Sequence, residues 1–427
     1  MHDEFESIAI DRGFTLHVAP AAKFKTTSFR LVLRRNLRAG EHTLTAVVPF
    51  VLRRGTARYP TARDIARHLE NLYGAGFGAD ISKIGETQNV ELYVDVPNER
   101  FLPERRGLAR EALAFLAEVL LAPKVRDGGF WPDYVAQEVQ VLRRRIESAI
   151  DNKPQYAMNR LREEMCRDEP FGLHKYGDAG ALAKVDPGEL YAHYRRIIAE
   201  SPVELYAVGP VEPGEVAGWV RELFALPRGQ LAPLAEPENR RPAEEREIVE
   251  QRPMQQGILA MGFRTGTRYA DDDYPALLVY NGILGGFPHS KLFVNLRERA
   301  SLAYFASSQI EPTKGVLMLL AGIAPDRYEK AALIIREQVD ALAQGAITPQ
   351  ELENTQKGIV NGLLAGEDSP HRITGSHLVG LVNGRLRPVA ELIDAVKGVS
   401  RDDVMRVAEK ILPDTVYFLH PPNPASQ

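Results

Sequence analysis

The chain has 427 residues, and its 53 lysines and arginines against 57 aspartates and glutamates leave a formal net charge of −4. This balance predicts no general affinity for nucleic acid or for an anionic membrane surface. Hydrophobic residues make up 44% of the chain and charged residues 26%, which is typical of folded domains and predicts a folded chain. No apolar stretch reaches the roughly 20 residues that a membrane-spanning helix needs.

The N-terminus and the cysteine count predict the compartment. The chain begins Met-His-Asp-Glu-Phe-Glu-Ser, which is acidic and lacks the apolar run of a secretory signal. The only cysteine, Cys166, excludes an internal disulfide and is interpreted as a small core residue. We therefore expect a cytoplasmic protein.

In the first half, Thr61 precedes Asp64 by three residues and is followed by apolar residues at positions 65, 69 and 72. This spacing predicts an amphipathic helix that is capped by Thr61. The glycine-rich run of residues 73–80 follows that helix, whereas a phosphate-binding loop would follow a strand. We therefore interpret the run as a turn into the next strand.

Two groups of elements occur in both halves. An apolar strand that ends at a proline and is followed by an amphipathic helix covers residues 90–119 and again residues 316–342. A helix followed by a strand covers residues 185–209 and again residues 399–419. This repetition predicts an internal duplication. The predicted fold is α+β, with two homologous halves that each have a mostly antiparallel sheet covered by helices on one face.

A change in composition separates the halves. Prolines and charged residues concentrate between residues 226 and 250, where apolar residues are few, and this is typical of an exposed linker. The predicted boundaries are 1–228 for the first domain, 229–247 for the linker and 248–427 for the second domain.

The histidine pattern does not predict a local zinc site. None of the 10 histidines lies three or four residues from another, the spacing that puts two ligands on one face of a helix. Zinc ligands from distant segments stay open as an alternative. The sequence also lacks a P-loop, a dinucleotide-binding fingerprint and a Gly-x-Ser-x-Gly nucleophile elbow.

Residues 281–309 contain the highest concentration of residues that could take part in binding or catalysis. The pair Gly285-Gly286 predicts a flexible loop or a close backbone approach, and a helix is predicted to follow it. Arg297 and Tyr304 flank the passage from that helix into an extended segment, where both could donate hydrogen bonds to one carbonyl oxygen. The alternative is that Arg297 is a helix C-terminal cation and Tyr304 a half-buried strand residue.

This segment resembles the most specific sequence block of the insulinase, pitrilysin and mitochondrial processing peptidase family of zinc metallopeptidases. The matching stretches are Gly285-Gly286 and residues 290–293, 296–298 and 302–304, with Ser301 where the family usually has glycine. The repeat and the linker also fall where the family has them, so the resemblance covers essentially the whole chain. It implies that Gly285, Gly286 and Phe287 contact the substrate.

The metal-binding positions of the family are different in this chain. Active members have His-x-x-Glu-His before a Gly-Thr pair, and here the positions before Gly55-Thr56 are occupied by Ala46, Pro49 and Phe50. The third family ligand, a glutamate on a later helix, corresponds to Arg145, in a helix predicted over residues 135–146. An arginine there would repel a metal ion. The resemblance implies a chain without zinc or another cofactor.

The resemblance also implies a role for the second half. In the family, the residues corresponding to Arg297 and Tyr304 face the scissile carbonyl from the half opposite the zinc, and some bacterial relatives divide the two sites between two chains. The implied partner is a homologous subunit with zinc, and the substrate is a peptide or unfolded polypeptide. No nucleic acid or membrane partner is implied, and the isolated chain is expected to be inactive.

Three points stay open at this stage. The isolated chain could pair with itself. The protein could be a structural or peptide-binding scaffold with no part in catalysis. It could also be an active peptidase with unconventional ligands, which would require zinc in the isolated chain.

Overall fold

The computed structural model describes residues 5–103, 107–236, 240–242 and 244–422. Residues 1–4, which belong to the acidic N-terminus, lie outside the described residues. The same is true of residues 237–239 and 243 in the predicted linker.

The chain forms two compact units, and each contains a segment from the other half of the sequence. The first unit consists of Met1–Glu147, Leu173–Glu236 and Ser369–Gly375. The second consists of Ser148–Gly172, Pro237–Asp368 and Ser376–Gln427. The linear domain boundaries given above stay a prediction.

In the described part of the first half, groups of strands are followed by groups of helices. The strands are β1 (Glu6–Asp11), β2 (Phe14–Pro20), β3 (Thr26–Asn36), β4 (Gly76–Ile84), β5 (Thr87–Pro97), β6 (Val125–Arg126), β7 (Gly129–Phe130) and β8 (Val203–Gly209). The helices are α1 (His42–Leu52), α2 (Ala62–Asn71), α3 (Leu108–Leu121), α4 (Pro132–Glu147), α5 (Lys153–Met165), α6 (Ala179–Leu182), α7 (Pro187–Glu200) and α8 (Pro213–Leu223).

The second half has strands β9 (Arg246–Gln251), β10 (Gly257–Arg264), β11 (Ala303–Glu311), β12 (Val316–Ile323) and β13 (Leu412–His420). Its helices are α9 (Tyr274–Asn281), α10 (Tyr328–Ala343), α11 (Pro349–Gly366), α12 (Pro370–Val382), α13 (Val389–Lys397) and α14 (Arg401–Ala408). Two π-helical turns, Gly282–Gly286 and Phe293–Arg299, lie between α9 and β11.

The two large sheets share one strand order, except that the first has an additional edge strand, β1. In the described residues, the first sheet has the order β1-β2-β8-β3-β5-β4, and the second has the order β9-β13-β10-β12-β11. Each is antiparallel except for one parallel pair, β2 with β8 and β9 with β13, at the same place in the order. The predicted α+β class with two similar halves is therefore confirmed.

The predicted local elements are also found. Thr61 and Asp64 form a reciprocal capping box at the start of α2. Tyr73 and Gly74, both at positive φ, turn the chain into β4, as the glycine-rich run predicts. The strand predicted over residues 90–96 lies within β5. Its polar positions are not solvent-facing, since Glu91 is buried and accepts from Arg30 of β3 at 2.6 Å (Nη2 to Oε2).

The second sheet is covered on both faces. Leu259 and Met261 of β10 point into the core formed with α9, α10, α13 and α14, while the alternate residues Ile258 and Ala260 point to the opposite face. Helix α5 covers that opposite face. An additional helix from the first half of the sequence thus completes the second unit.

A buried ionic cluster joins the segment after α5 to the second sheet. The Glu169 carboxylate accepts from Arg264 Nη2 and from Lys314 Nζ, each at 2.6 Å, and all three side chains are almost fully buried. Arg264 also donates to Asp414 at 2.7 Å (Nε to Oδ2). Cys166 lies beside this cluster as a buried core residue, as expected, and burial raises the pKa of its thiol to about 12.

Within the described residues, no helix is both long and apolar enough to span a bilayer.

Glu169→Gln tests the contribution of this cluster to stability. Because two buried cations would lose their shared countercharge, we expect the free energy of unfolding to fall by about 3 kcal/mol in urea denaturation. The matched control is Glu163→Gln in α5, which breaks a half-exposed ion pair with Arg160 and should cost less than about 1 kcal/mol. Equal losses for the two variants would contradict the assigned role of the cluster.

The same carboxylate makes stability depend on pH. Burial alone would raise the pKa of Glu169, but hydrogen bonds from Arg264 and Lys314 outweigh burial and hold it below its ordinary value of 4.5. A carboxyl with a lowered folded-state pKa stabilises fully above its unfolded pKa, and this contribution is lost as the pH falls through the folded pKa. The stability difference between the wild type and Glu169→Gln should therefore be constant above pH 4.5 and shrink below it. A difference that stays constant into that acidic range would contradict the assignment.

Candidate functional site

The positions that correspond to the family metal site lie together in the first unit. Ala46, Pro49 and Phe50 are buried in α1, and Arg145 lies near the end of α4. The guanidinium carbon of Arg145 is 5.9 Å from the centroid of the Phe50 ring, so the structure brings the α1 and α4 positions together.

Aromatic and acidic side chains surround the Arg145 charge. Its guanidinium carbon lies 4.4 Å from the centroid of the Tyr176 ring, and its Nη1 lies 3.8 Å from Asp80 Oδ1. The Tyr176 hydroxyl donates to the same Asp80 oxygen at 3.1 Å. Burial and the neighbouring Asp80 charge raise the pKa of Tyr176 to about 12, so the phenol keeps its proton near neutral pH.

This arrangement does not fit a zinc ion. Alanine, proline and phenylalanine side chains have no atom that can ligate a metal, and Arg145 has only donors. Asp80 is a single carboxylate that is already paired with Arg145 and Tyr176. Across the part of the chain that the structure describes, no group of three or more His, Cys, Asp or Glu residues could hold a metal ion.

Strand β4 is an edge strand next to this cluster, and part of its edge is occupied. Lys175 donates from Nζ to the carbonyl oxygen of Ile81 at 3.0 Å, and Lys83 donates to the carbonyl oxygen of Leu173 at 3.1 Å. Residues 173–175 therefore lie along the edge where a peptide could otherwise add as a strand.

In the second unit, two π-helical turns, Gly282–Gly286 and Phe293–Arg299, lie where the sequence predicts a loop followed by a helix. A Cβ on Gly285 would lie 2.6 Å from the backbone nitrogen of Ser308 in β11, so only glycine permits this approach. Ser308 donates from Oγ to Asn281 Oδ1 at 2.8 Å and fixes the first turn on the strand. The predicted close backbone approach is confirmed. Gly285 itself is buried, and the structure shows it in a packing contact.

The other two predicted substrate-contacting residues are more accessible. Gly286 is exposed, and Phe287 is half-buried. The Phe287 ring stacks on His289 with centroids 5.3 Å apart and packs against Gly358, where a Cβ would lie 2.7 Å from the ring.

Arg297 and Tyr304 line one cavity of about 510 Å³. Arg297 is in the second π-helical turn, with its guanidinium 4.6 Å from the centroid of the Phe293 ring. Tyr304 is near the start of β11 and has 60% of its surface exposed. Ser301 between them adopts a φ of 51°, a left-handed conformation that favours glycine. The structure thus brings together the two residues that the sequence singles out.

The same cavity is lined by two further cations, which the sequence did not indicate as site residues. Arg327 and Lys330 follow β12 and line the cavity together with the start of β11. The antiparallel pairing of Ala303 with Ile323 places these stretches side by side. A hairpin prediction for residues 303–323 could have indicated this proximity, because the first and last residues of a hairpin are neighbours.

Comparison with known proteins assigns the family. The family described as peptidase M16 inactive domain matches residues 184–359. The probable inactive metalloprotease YmfF of Bacillus subtilis is 34% identical over 408 residues, which cover 95% of this chain and 96% of that protein. An uncharacterised zinc protease of Mycobacterium tuberculosis is 27% identical over 305 residues, covering 70% of this chain and 69% of that protein.

Solved structures agree with this assignment. A conserved protein from Enterococcus faecalis superposes with a TM-score of 0.90 at 27% identity, covering 98% of this chain and 99% of that one. A peptidase M16 inactive domain from Pseudomonas fluorescens shares the fold, with a TM-score of 0.80 at 18% identity and 98% of each chain covered. This chain therefore belongs to the M16 family of metallopeptidases, which includes insulinase and pitrilysin, and is an inactive-metalloprotease-like member of it.

Proposed function

We propose that this chain is the zinc-free subunit of a two-chain peptidase, and that a homologous partner supplies the zinc motif. The observation that carries the proposal is the contrast between the two halves. The first-half positions Ala46, Pro49, Phe50 and Arg145 cannot hold a metal, whereas Arg297 and Tyr304 share an accessible cavity. A chain of this kind would have no activity alone and would contribute substrate contacts to the partner's reaction.

The proposed chemistry uses hydrogen-bond donors. The Arg297 guanidinium and the Tyr304 hydroxyl would donate to the scissile carbonyl oxygen of a peptide bound at the partner's zinc. As hydroxide adds to the carbonyl carbon, negative charge develops on this oxygen, and preorganised donors stabilise the transition state more than the substrate.

The second sheet offers an edge for the peptide. Strand β11 is at the end of the sheet order, so one side of its backbone is not paired within the sheet. The first π-helical turn, Gly282–Gly286, covers this edge at Ser308. The beginning of β11, next to Tyr304, is left for an added peptide strand. Backbone pairing would accept peptides of varied sequence. Gly286 and Phe287, adjacent to this edge, are proposed as further contacts.

The wider setting is also part of the proposal. We place the protein in the cytoplasm, where a single buried cysteine needs no partner. We further propose that residues 1–228 and 248–427 are the duplicated units, joined by the linker.

Arg297→Ala and Tyr304→Phe test the catalytic contribution. Each removes a donor to the developing oxyanion, so turnover of the assembled complex should fall by a factor that corresponds to roughly 2 to 4 kcal/mol. Peptide hydrolysis by the complex, measured under saturating substrate, gives the change in kcat.

Arg299→Ala is the matched control, because Arg299 is also exposed in the same π-helical turn and pairs with Asn295 outside the cavity. Its turnover and the amount of complex in native mass spectrometry should match the wild type. Loss of assembly with unchanged turnover per complex would refute the catalytic role of Arg297 and Tyr304.

The isolated chain should also retain no stoichiometric zinc. After dialysis, elemental analysis should find far less than one zinc per chain, and a chelator should leave the unfolding midpoint unchanged, since structural zinc stabilises a fold. Near-stoichiometric zinc together with chelator-sensitive peptide cleavage would instead identify an active peptidase with unconventional ligands.

A further inference from the structure

The cavity at Arg297 and Tyr304 has a strong positive charge. Arg297, Arg327 and Lys330 all line it, and none of the described residues in its lining is acidic. The remaining lining residues are alanines, Leu302, Ser301 and the tyrosine. Three like charges around one cavity repel one another, and a bound anion would relieve that repulsion.

The contacts that Arg297 and Arg327 make within the protein leave some of their N–H donors available to a ligand. The guanidinium carbon of Arg297 lies 4.6 Å from the centroid of the Phe293 ring, and one ring can engage only part of the five N–H donors of a guanidinium. Arg327 pairs with its sequence neighbour Asp326 at 3.3 Å (Nε to Oδ2), but both side chains are more than half exposed, so this pair is weak. Arg327 makes no side-chain capping bond to α10.

The number of cations exceeds what the proposed reaction needs. One carbonyl oxygen accepts two hydrogen bonds, which Arg297 and Tyr304 can supply. Arg327 and Lys330 come from a different stretch of chain, the turn Pro325–Arg327 and the first turn of α10, yet they face the same cavity. A ligand with a full negative charge would account for the presence of both Arg327 and Lys330.

We propose that Arg327 and Lys330 form a carboxylate subsite, next to Arg297, that selects the peptide. The ligand group is a carboxylate next to the bond that Arg297 and Tyr304 contact. It is supplied either by an acidic side chain or by the free C-terminus of the peptide. A cavity of about 510 Å³ has room for such a group beside an extended chain on β11. This inference rests on the proposed function, because it names the substrate class of the same site.

The test uses the full-length chain and fluorescently labelled extended peptides that differ in one group. One pair has glutamate or glutamine at a single central position, and a second pair has a free or an amidated C-terminus. We expect about tenfold tighter binding in fluorescence anisotropy for the carboxylate member of one pair, and a smaller preference at higher ionic strength. The pair that shows the preference identifies the source of the carboxylate.

Variants locate the subsite. Arg327→Gln and Lys330→Gln should each reduce the carboxylate preference by roughly two- to fivefold, as expected for exposed ion pairs. Arg336→Gln removes the same charge from the same helix but pairs with Glu245 outside the cavity, so it should leave the preference unchanged. The double variant Arg327→Glu with Lys330→Glu should reverse the preference in favour of a matched peptide with lysine.

Equal binding of the peptides in both pairs, or no binding of any of them, would overturn the subsite. A preference that survives the double charge reversal would also overturn it. The kinetic test of Arg297 and Tyr304 is independent of these results, because it measures turnover of one substrate by the complex. If the peptides show no carboxylate preference but the Arg297 and Tyr304 variants still lower turnover, the subsite is refuted and the proposed function stays in place.

Discussion

The buried Glu169 carboxylate is the contact on which the geometry of the second unit depends. It holds Arg264 at the end of β10 and Lys314 in the connection between β11 and β12, while Arg264 also holds Asp414 at β13. One carboxylate therefore ties the segment after α5 to the ends of several neighbouring strands. Because Tyr304 lies on β11 and the cations of the cavity follow β12, the same contact restrains the hairpin that positions the candidate site.

The two halves have similar sheet topologies but different side chains at the positions that could bind a metal or a peptide. In the first unit, a helix that would present two histidines presents alanine and phenylalanine, and Arg145 is held against the Tyr176 ring and Asp80. Lys175 also occupies part of the β4 edge. In the second unit, the corresponding edge strand β11 begins at an accessible cavity lined by donors. Among the described residues of the first half, the α1 and α4 positions thus offer no metal ligand and part of the β4 edge is occupied, whereas the second half places hydrogen-bond donors around an accessible cavity.

Local sequence patterns predicted the elements that depend on local physics. The capping box at Thr61, the strand within β5 and the approach of Gly285 to Ser308 all follow from spacing or residue type. The exchange of segments between halves could not be predicted, because it depends on which apolar faces remain uncovered after both sheets form. Periodicity also could not distinguish π-helical turns from an ordinary helix around Arg297, since Leu292 and Leu296 are buried in both cases. Arg327 and Lys330 were missed because charged residues after a strand are usually solvated.

The most direct test of a two-chain peptidase is peptide hydrolysis by the material that co-purifies with the tagged chain under native conditions from its own cells. We expect a near-equimolar complex with a chain that has His-x-x-Glu-His, and chelator-sensitive hydrolysis of unfolded peptides that disappears when either chain is removed. Recovery of the chain alone, free of metal and inert toward peptides, would contradict the account. A partner that is fully active without this chain would contradict it as well.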